Sequence, residues 1–496
     1  MVNKAAKEKE RLTQADILVS LGSRAMLFHA ENYDSYAAMD VNGHREVWPL
    51  RSRGFRQWLI REFYMATGKA PTNESLSQAL NVLEARAVFD GKMHRLNLRV
   101  AEYGGVFWYD LADFGWRAVK ITLDGWELIE RPAVLFRRYQ NTASQVEPQR
   151  GGDLKEFLRL VNLKTDDEKV LLLSYLVAAL VPEIPKPIIV ISGEKGAGKS
   201  TLLRMLRALI DPAVEPLLIM RNEEKDLALQ LTQNYAPFFD NISSLSQWQS
   251  DTLCRAATGA GFLTRALFTD EEMKIYRIKR AVGMSVIHPV GGAPDLQDRL
   301  LTVELERIDK KSRRQEVELL AEFERLRAHF FGAMLDALVK AMSIKPCLQI
   351  PELPRMADFA VWGAAAAEAL GLGADRFLAA YWRNIGQVNE RLLESHPVAA
   401  AVVCLLHETQ EWQGTPGELL DILEKVAETE KINTRSKLWP RSASALTRRL
   451  KEVASNLQDA GIMLEFGRNA QARYILLRRV GVNSVITVKR VADQGS

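Results

Sequence analysis

The chain has 496 residues, 47% hydrophobic and 26% charged, which excludes a disordered or collagen-like polymer and calls for several folded domains with real cores. Its net charge of only +4 is unevenly placed: residues 431–490 hold 13 Lys or Arg against 3 Asp or Glu, so a local polyanion-binding surface is expected there. Cys254, Cys347 and Cys404 form no CxxC pair, the opening "MVNKAAKEKERL" lacks a signal-peptide core, and the most apolar run, 170–181, is too short for a bilayer; a cytoplasmic protein without disulfides, zinc ribbon or membrane span is expected.

Residues 1–135 read as a mixed α+β domain. "AMLFHAEN", "YAAMDV" and "HREVWPL" have the pattern of short strands, with Asn42-Gly43 as a hairpin turn. In "SRGFRQWLIREFYMATG", Phe55, Trp58, Leu59 and Phe63 recur near helical spacing and Gly68 stands past the end, which predicts a helix. "NESLSQALNVLEARA" predicts a second helix; "HRLNLRVA", "GVFWYDLA", "RAVKITL" and "GWELI" predict strands. No catalytic constellation stands out, which leaves a docking or nucleic-acid-contacting role. Residues 136–153, with "RRYQNTASQVEPQRGGD", are polar with Pro148 and a glycine pair, and are expected as a linker.

Two helices, 154–163 and 165–180, are predicted to lead into the strand "PIIVIS". "GEKGAGKST" then fits G-x-x-x-x-G-K-[ST] from Gly193 to Ser200, with "TLLRMLRALI" as the following helix. Such a loop grips the phosphates of ATP, its cradle being Gly193, Glu194, Lys195, Gly196, Ala197, Gly198, Lys199, Ser200 and Thr201. Gly196 and Gly198 let the backbone curl its N–H groups toward phosphate oxygens, Lys199 neutralises the β- and γ-phosphates, and the Ser200 hydroxyl ligates Mg²⁺. A second strand, "PLLIM", is followed by Arg221. The apolar strand in "YAPFFDN" ends in Asp240, the expected carboxylate ligand of Mg²⁺. Asn241 follows, where many such ATPases carry the glutamate that activates water. An amide orients water but does not accept its proton. Either hydrolysis is slow or another carboxylate serves, Glu194 being a candidate.

Next come a helix, a strand (263–268), an acidic tight turn, a strand (274–278), a further apolar strand (281–287) and "LLTVEL" as the last core strand. This order over 154–308 resembles the AAA+ ATPase core of the helicase branch, which includes the viral superfamily 3 and minichromosome maintenance helicases. "FDNIS", "LCRAATGAGF", "RALFTDEE", "PDLQDR" and "LPRMADFA" resemble a group of helicase-like or ATP-binding proteins of bacterial mobile elements, some joined to primases. The resemblance implies roles for single residues. Arg299 of "LQDRLL" stands at the arginine-finger position, lent to a neighbour's γ-phosphate in a ring; its alternative is a surface pair with Asp298. Ser285 takes the sensor-1 position, where relatives usually have Asn. Arg355 of "PRMADF" is the candidate sensor-2 arginine, and Arg221, after "PLLIM", is placed to face the nucleotide. The hairpin 263–278 corresponds to one that lines the ring channel, where Arg265, Lys274, Arg277 and Lys279 would track a DNA backbone.

Residues 309–411 have helical spacing throughout and are expected as a helical lid. Residues 412–496 give helix, helix and strand–turn–strand from "GTPGELLDILEKVAE", "SASALTRRLKEVASNLQDAG" and "IMLEFGRNAQARYILLRR", the order of a winged helix. Ser442 or Ser444 caps its second main helix, Leu446, Leu450, Val453 and Leu457 face inward, and Arg448, Arg449 and Lys451 point out for DNA, with Arg468 and Arg473 flanking the wing tip. The expected fold is thus multidomain α/β: a AAA+ P-loop core with helical lid, a mixed N-terminal domain and a C-terminal winged helix. The expected function is an ATP-driven DNA helicase or translocase of a mobile element, a homo-oligomeric ring of six or so subunits with a primase as a further partner. The alternative is an ATP-dependent assembly factor, an initiator or loader, that holds DNA with weak hydrolysis and no unwinding.

Overall fold

The computed structural model describes residues 12–265, 273–276, 278–286, 294–309, 313–436, 438–468, 473–480 and 489–490. The chain divides into two compact units, the first mainly Met1–Thr122 with Trp126–Gln145, the second mainly Val146–Thr264 with Tyr276–Ser496.

In the first unit, Asn42 and Gly43 both have positive φ, 48° and 92°, the backbone a two-residue hairpin turn demands, and they join Ser35–Val41 to His44–Pro49. These strands continue into Met26–His29 and, in parallel, Lys92–Met93. The helix Arg53–Thr67 starts where the Ser52 side chain accepts from Phe55 N–H and stops at Gly68, left-handed at φ 70°. Its apolar stripe, Phe55, Leu59 and Phe63, is buried with Leu80 and Leu83 of the helix Asn73–Phe89. A second sheet orders Val100–Tyr103, Val106–Asp110, Ala118–Thr122 and Gly125–Ile129 as a meander.

The stretch 136–153 is bound rather than loose. Arg138 makes a forked contact with the buried Asp110 carboxylate, at 2.6 and 3.0 Å, and lies 3.9 Å from the Trp116 ring centre. Gln145 is buried and donates to the Tyr109 hydroxyl. Further on, in the second unit, Gln149 N–H donates to Ala328 carbonyl, and a Cβ on Gly332 would meet Gln149 O at 1.8 Å. Glycine is what lets this segment lie on the helix Glu316–Ile344.

The second unit is built on a parallel sheet in the order Phe238–Ile242, Gly283–Val286, Ile188–Gly193, Leu300–Leu305. "PLLIM" reduces to one bridge, Leu218 to Phe239, at the outer edge. The predicted helix 154–163 is a 3-10 turn, Leu154–Leu160; the next is Asp166–Ala178, whose Thr165 and Glu168 form a capping box. That helix is buried on nearly every side, which is why its sequence is apolar all round. Phe262–Arg265 and Met273–Tyr276 are strands, as expected of the hairpin's flanks, and the stretch between them lies outside the described residues.

Residues 316–395 contribute the long helices Glu316–Ile344, Ala357–Ala369 and Ala374–Ser395. The next helix, Pro397–Thr409, falls in the span expected as a lid, yet its Val398, Val402 and Leu406 are fully buried with Leu419, Leu446 and Leu477 of the C-terminal core. That core combines Pro397–Thr409, Pro416–Thr429, Ala443–Glu452 and Ala454–Asp459 with an antiparallel sheet ordered Glu411–Gly414, Arg473–Arg479, Ile462–Arg468. Among the described residues no helix is long and apolar enough to cross a membrane.

Candidate nucleotide site

The strand Ile188–Gly193 runs out at the C-terminal edge of the sheet and turns through Gly193, Gly196 and Gly198, at φ 140°, 84° and 87°, into the helix Lys199–Ile210. These angles are open to glycine and costly for other residues. At Gly193 space enforces the same choice, since a Cβ would come within 2.6 Å of Leu305 O. Ala197 is buried, while Glu194 and Lys195 are exposed. Lys199 reaches back across the loop, its Nζ donating to Gly193 O at 2.7 Å and Glu194 O at 3.0 Å. An ammonium held, among the described residues, by carbonyls alone, at a helix N-terminus ringed by glycines, is the donor set that phosphate oxygens satisfy.

Sheet order brings the remaining groups together. Ser200 Oγ donates to Asp240 Oδ1 at 3.0 Å. Ser285, from the strand between, donates to the same carboxylate oxygen, and its Oγ accepts from Asn241 N–H at 2.8 Å. Pairing of Phe238–Ile242 slips between Phe239 and Ile242, and Asn241 there has φ 59°. This bulge aims Asp240 at Ser200. Ser285 is buried with its proton given to Asp240 and its oxygen used by Asn241, so it braces the carboxylate instead of presenting a free hydroxyl, a role sequence position alone did not show. Among the described residues no three His, Cys, Asp or Glu cluster as a metal cage; a hydroxyl and one carboxylate suit an ion carried largely by phosphates. A cleft of about 560 Å³ opens beside Asp240 and Asn241, with Met220, Ser243 and Trp248 on its walls.

Other expected residues lie as follows. Glu194 faces Arg307 at 3.3 Å. Thr201 Oγ1 donates to Glu316 Oε1 at 3.1 Å, a carboxylate shared with Arg204. Arg221 is exposed, and its carbonyl accepts from Gln249. Arg299 and Arg355 stand apart from the phosphate loop. Arg299 binds Asp295, at 2.6 Å to the carboxylate and also at its backbone carbonyl, so the pair is with Asp295 rather than Asp298. Arg355 binds both Asp295 and Asp298. Burial pushes the Asp298 carboxyl up, against the pull of Arg355. At Asp295 burial also pushes up, but Arg299 and Arg355 outweigh it and hold this carboxyl below its ordinary range.

Of the basic residues expected to meet a polyanion, Arg448 and Lys451 are exposed on Ala443–Glu452, Lys451 with its Nζ 5.4 Å from the Phe466 ring centre. Arg449 is half-buried and bound to Glu452 at 2.7 Å, so it does not project freely. Arg468 and Arg473 are exposed and directly opposed as the last pair of the ladder, like charges an anion would relieve. Ser442 caps the helix, its Oγ accepting from Ala445 N–H at 3.3 Å. Arg265 and Lys274 lie in the hairpin strands, whose side chains, like Arg277, are outside the described residues. Lys279 is packed over Gly259 and donates to Glu183 O, a structural position.

Residues 154–390 match the family model described as actinomycete integrative conjugative element replication protein, and residues 398–489 match that family's C-terminal domain. The break between the two falls just before the helix Pro397–Thr409. No curated protein matches. Among solved structures, the A form apo structure of the NrS-1 C terminal region is 12% identical with a TM-score of 0.40, covering 95% of this chain and 100% of that one. The apo structure of NrS-1 C terminal region (305-718) is 12% identical with a TM-score of 0.38, covering 96% and 100%. Likeness at this level carries no inference.

Proposed function

We infer the activity from one premise: over residues 154–390 and 398–489 the chain belongs to the family of actinomycete integrative conjugative element replication proteins, and is a replication protein of a mobile element. On that premise we propose an ATP-driven, ring-forming DNA helicase or translocase, with a AAA+ core, a helical lid and a C-terminal winged helix. The observation that carries the proposal is where Arg299 stands. Ile188–Gly193 and Leu300–Leu305 pair in parallel over six residues, from Ile188 with Leu300 to Gly193 with Leu305. Arg299 precedes one end of that ladder and the phosphate loop leaves the other. At about 3.3 Å per residue they are roughly 17 Å apart or more, beyond an arginine's reach. Arg299 therefore has no access to its own triphosphate, and on this reading it serves a neighbour's.

Within one subunit, the loop N–H groups and Lys199 would hold the triphosphate, and Ser200 with Asp240 would hold Mg²⁺. Bound there, Mg²⁺ would neutralise phosphate charge. Ser285 keeps Asp240 aimed, and Asn241 orients water. Arg448, Lys451, Arg468 and Arg473 offer a basic face for the DNA backbone.

Three preparations test this: Lys199→Ala, Arg299→Ala and an equimolar mixture of the two. DNA-stimulated ATP turnover should vanish in each alone and return in part in the mixture. Normal turnover by Arg299→Ala alone defeats the shared pocket. A second reading, an initiator or loader that binds DNA with ATP but does not unwind it, is favoured by Asn241, which takes no proton, and by the committed hydroxyl of Ser285. Tight ATP-dependent DNA binding with no strand displacement would select it.

A further inference from the structure

Arg299 is not held out as a free finger. Its side chain is 13% exposed, its guanidinium is bound to Asp295, and its Nε is buried without a hydrogen-bond partner among the described residues. Arg355 bridges Asp295 and Asp298, so two arginines and two aspartates form one clasp. The clasp has another member from the C-terminal core. Asn456, on the short helix Ala454–Asp459, is fully buried, and its Nδ2 lies 3.4 Å from Asp298 Oδ1 and 2.9 Å from Asn389 Oδ1. Its carbonyl accepts from Asn389 Nδ2 at 2.9 Å, which pins the helix to Ala374–Ser395. Only Val453, itself fully buried, separates this helix from Ala443–Glu452, the helix that exposes Arg448 and Lys451.

We propose that Asn456 is a positioning residue through which DNA held on Ala443–Glu452 sets the state of Arg299. Asp298 has a limited set of lone pairs, shared between Arg355 and the Asn456 amide. A shift of the short helix withdraws the amide, Asp298 then draws Arg355 more strongly, and Asp295 is left to Arg299 alone; a shift the other way loosens Arg299. Arg299, Asp298 and Asn456 are largely buried while Arg355 and Asp295 are about half exposed, so the change is felt most at the buried end of the clasp, where Asp298 and Arg299 have little water to turn to. The proposal rests on Arg299 acting between subunits, and the test separates the two ideas.

The full chain is assayed for ATP turnover with and without a labelled oligonucleotide, and for its affinity for that oligonucleotide by anisotropy, with single-stranded and duplex DNA in separate arms. Asn456→Ala should cut the DNA stimulation about fivefold or more while affinity stays within about twofold. Full stimulation in Asn456→Ala overturns the link; so does a loss that merely follows weakened DNA binding. Asn456→Asp keeps the shape and sets a carboxylate against Asp298, so it should also lose stimulation, and adding Asp298→Asn should restore it. A well-folded double variant that stays unstimulated overturns the link as well. Arg299→Ala is run alongside: if it turns over normally the shared pocket fails, whereas an inactive Arg299→Ala with a fully stimulated Asn456→Ala removes only the link.

Discussion

Lys186 lies buried with its Nζ 5.7 Å from the Tyr235 ring centre, and burial pushes its ammonium down to about 7. In the unfolded chain a lysine titrates at about 10.4. Between these values the unfolded state holds the extra proton, so stability rises with pH across that window, and the full cost of the buried charge is felt below it. Lys186→Met should therefore raise the thermal midpoint, more near pH 6 than near pH 9; a gain that grows with pH contradicts this. Ser285→Ala removes the brace on Asp240 and should raise the Mg²⁺ concentration needed for half-maximal turnover by about tenfold, read from a Mg²⁺ titration; an unchanged titration would show that Asp240 needs no brace. The phosphate loop was legible because its spacing is local and its chemistry is carried by neighbours in sequence. The union of Ser200, Asp240 and Ser285 was only half legible. These side chains converge because a strand is inserted between two others, which motif spacing does not encode, and the bulge at Asn241 left no mark in the sequence.

At the scale of elements, caps and periodicity were good guides. Ser442 starts a helix where its side chain accepts a backbone N–H, and Gly68 ends one, both as expected; Ser52 and Thr165 cap helices too, unread in the sequence. The helix Pro397–Thr409, in the span expected as a lid, packs with the C-terminal core; "PVAAAVVCLL" is apolar without a stripe, and only its burial partners tell which core it serves. Leu446, fully buried at the centre of that core, should cost about 2–5 kcal/mol as Leu446→Ala, measured by denaturant unfolding. A cost near zero would mean that Ala443–Glu452 is not anchored as described. On the outer face, Arg448→Glu with Lys451→Glu should weaken DNA binding across sequences and flatten its salt dependence, since contacts to phosphate are lost without a change in base recognition; an unaltered salt slope would place DNA elsewhere.

For the whole molecule, the separation of Arg299 from Lys199 makes one subunit an incomplete catalyst on the proposed reading. Mass measurement in solution with DNA and a non-hydrolysable ATP analogue should show a closed multimer; a species of single-chain mass under those conditions rejects it. The sequence could suggest such an arrangement by resemblance, but only the parallel register of Ile188–Gly193 with Leu300–Leu305 gives it a length scale. The same register has a genetic corollary. On that reading, a chain that still docks but carries a spoiled guanidinium silences the sound neighbour it should serve, while its own pocket, completed from the other side, stays usable, so a decayed copy poisons intact ones in proportion to its share of the pool. A host that retains a broken relative of such an element, still expressed and still able to co-assemble, would hold an incoming intact element in check by dosage alone.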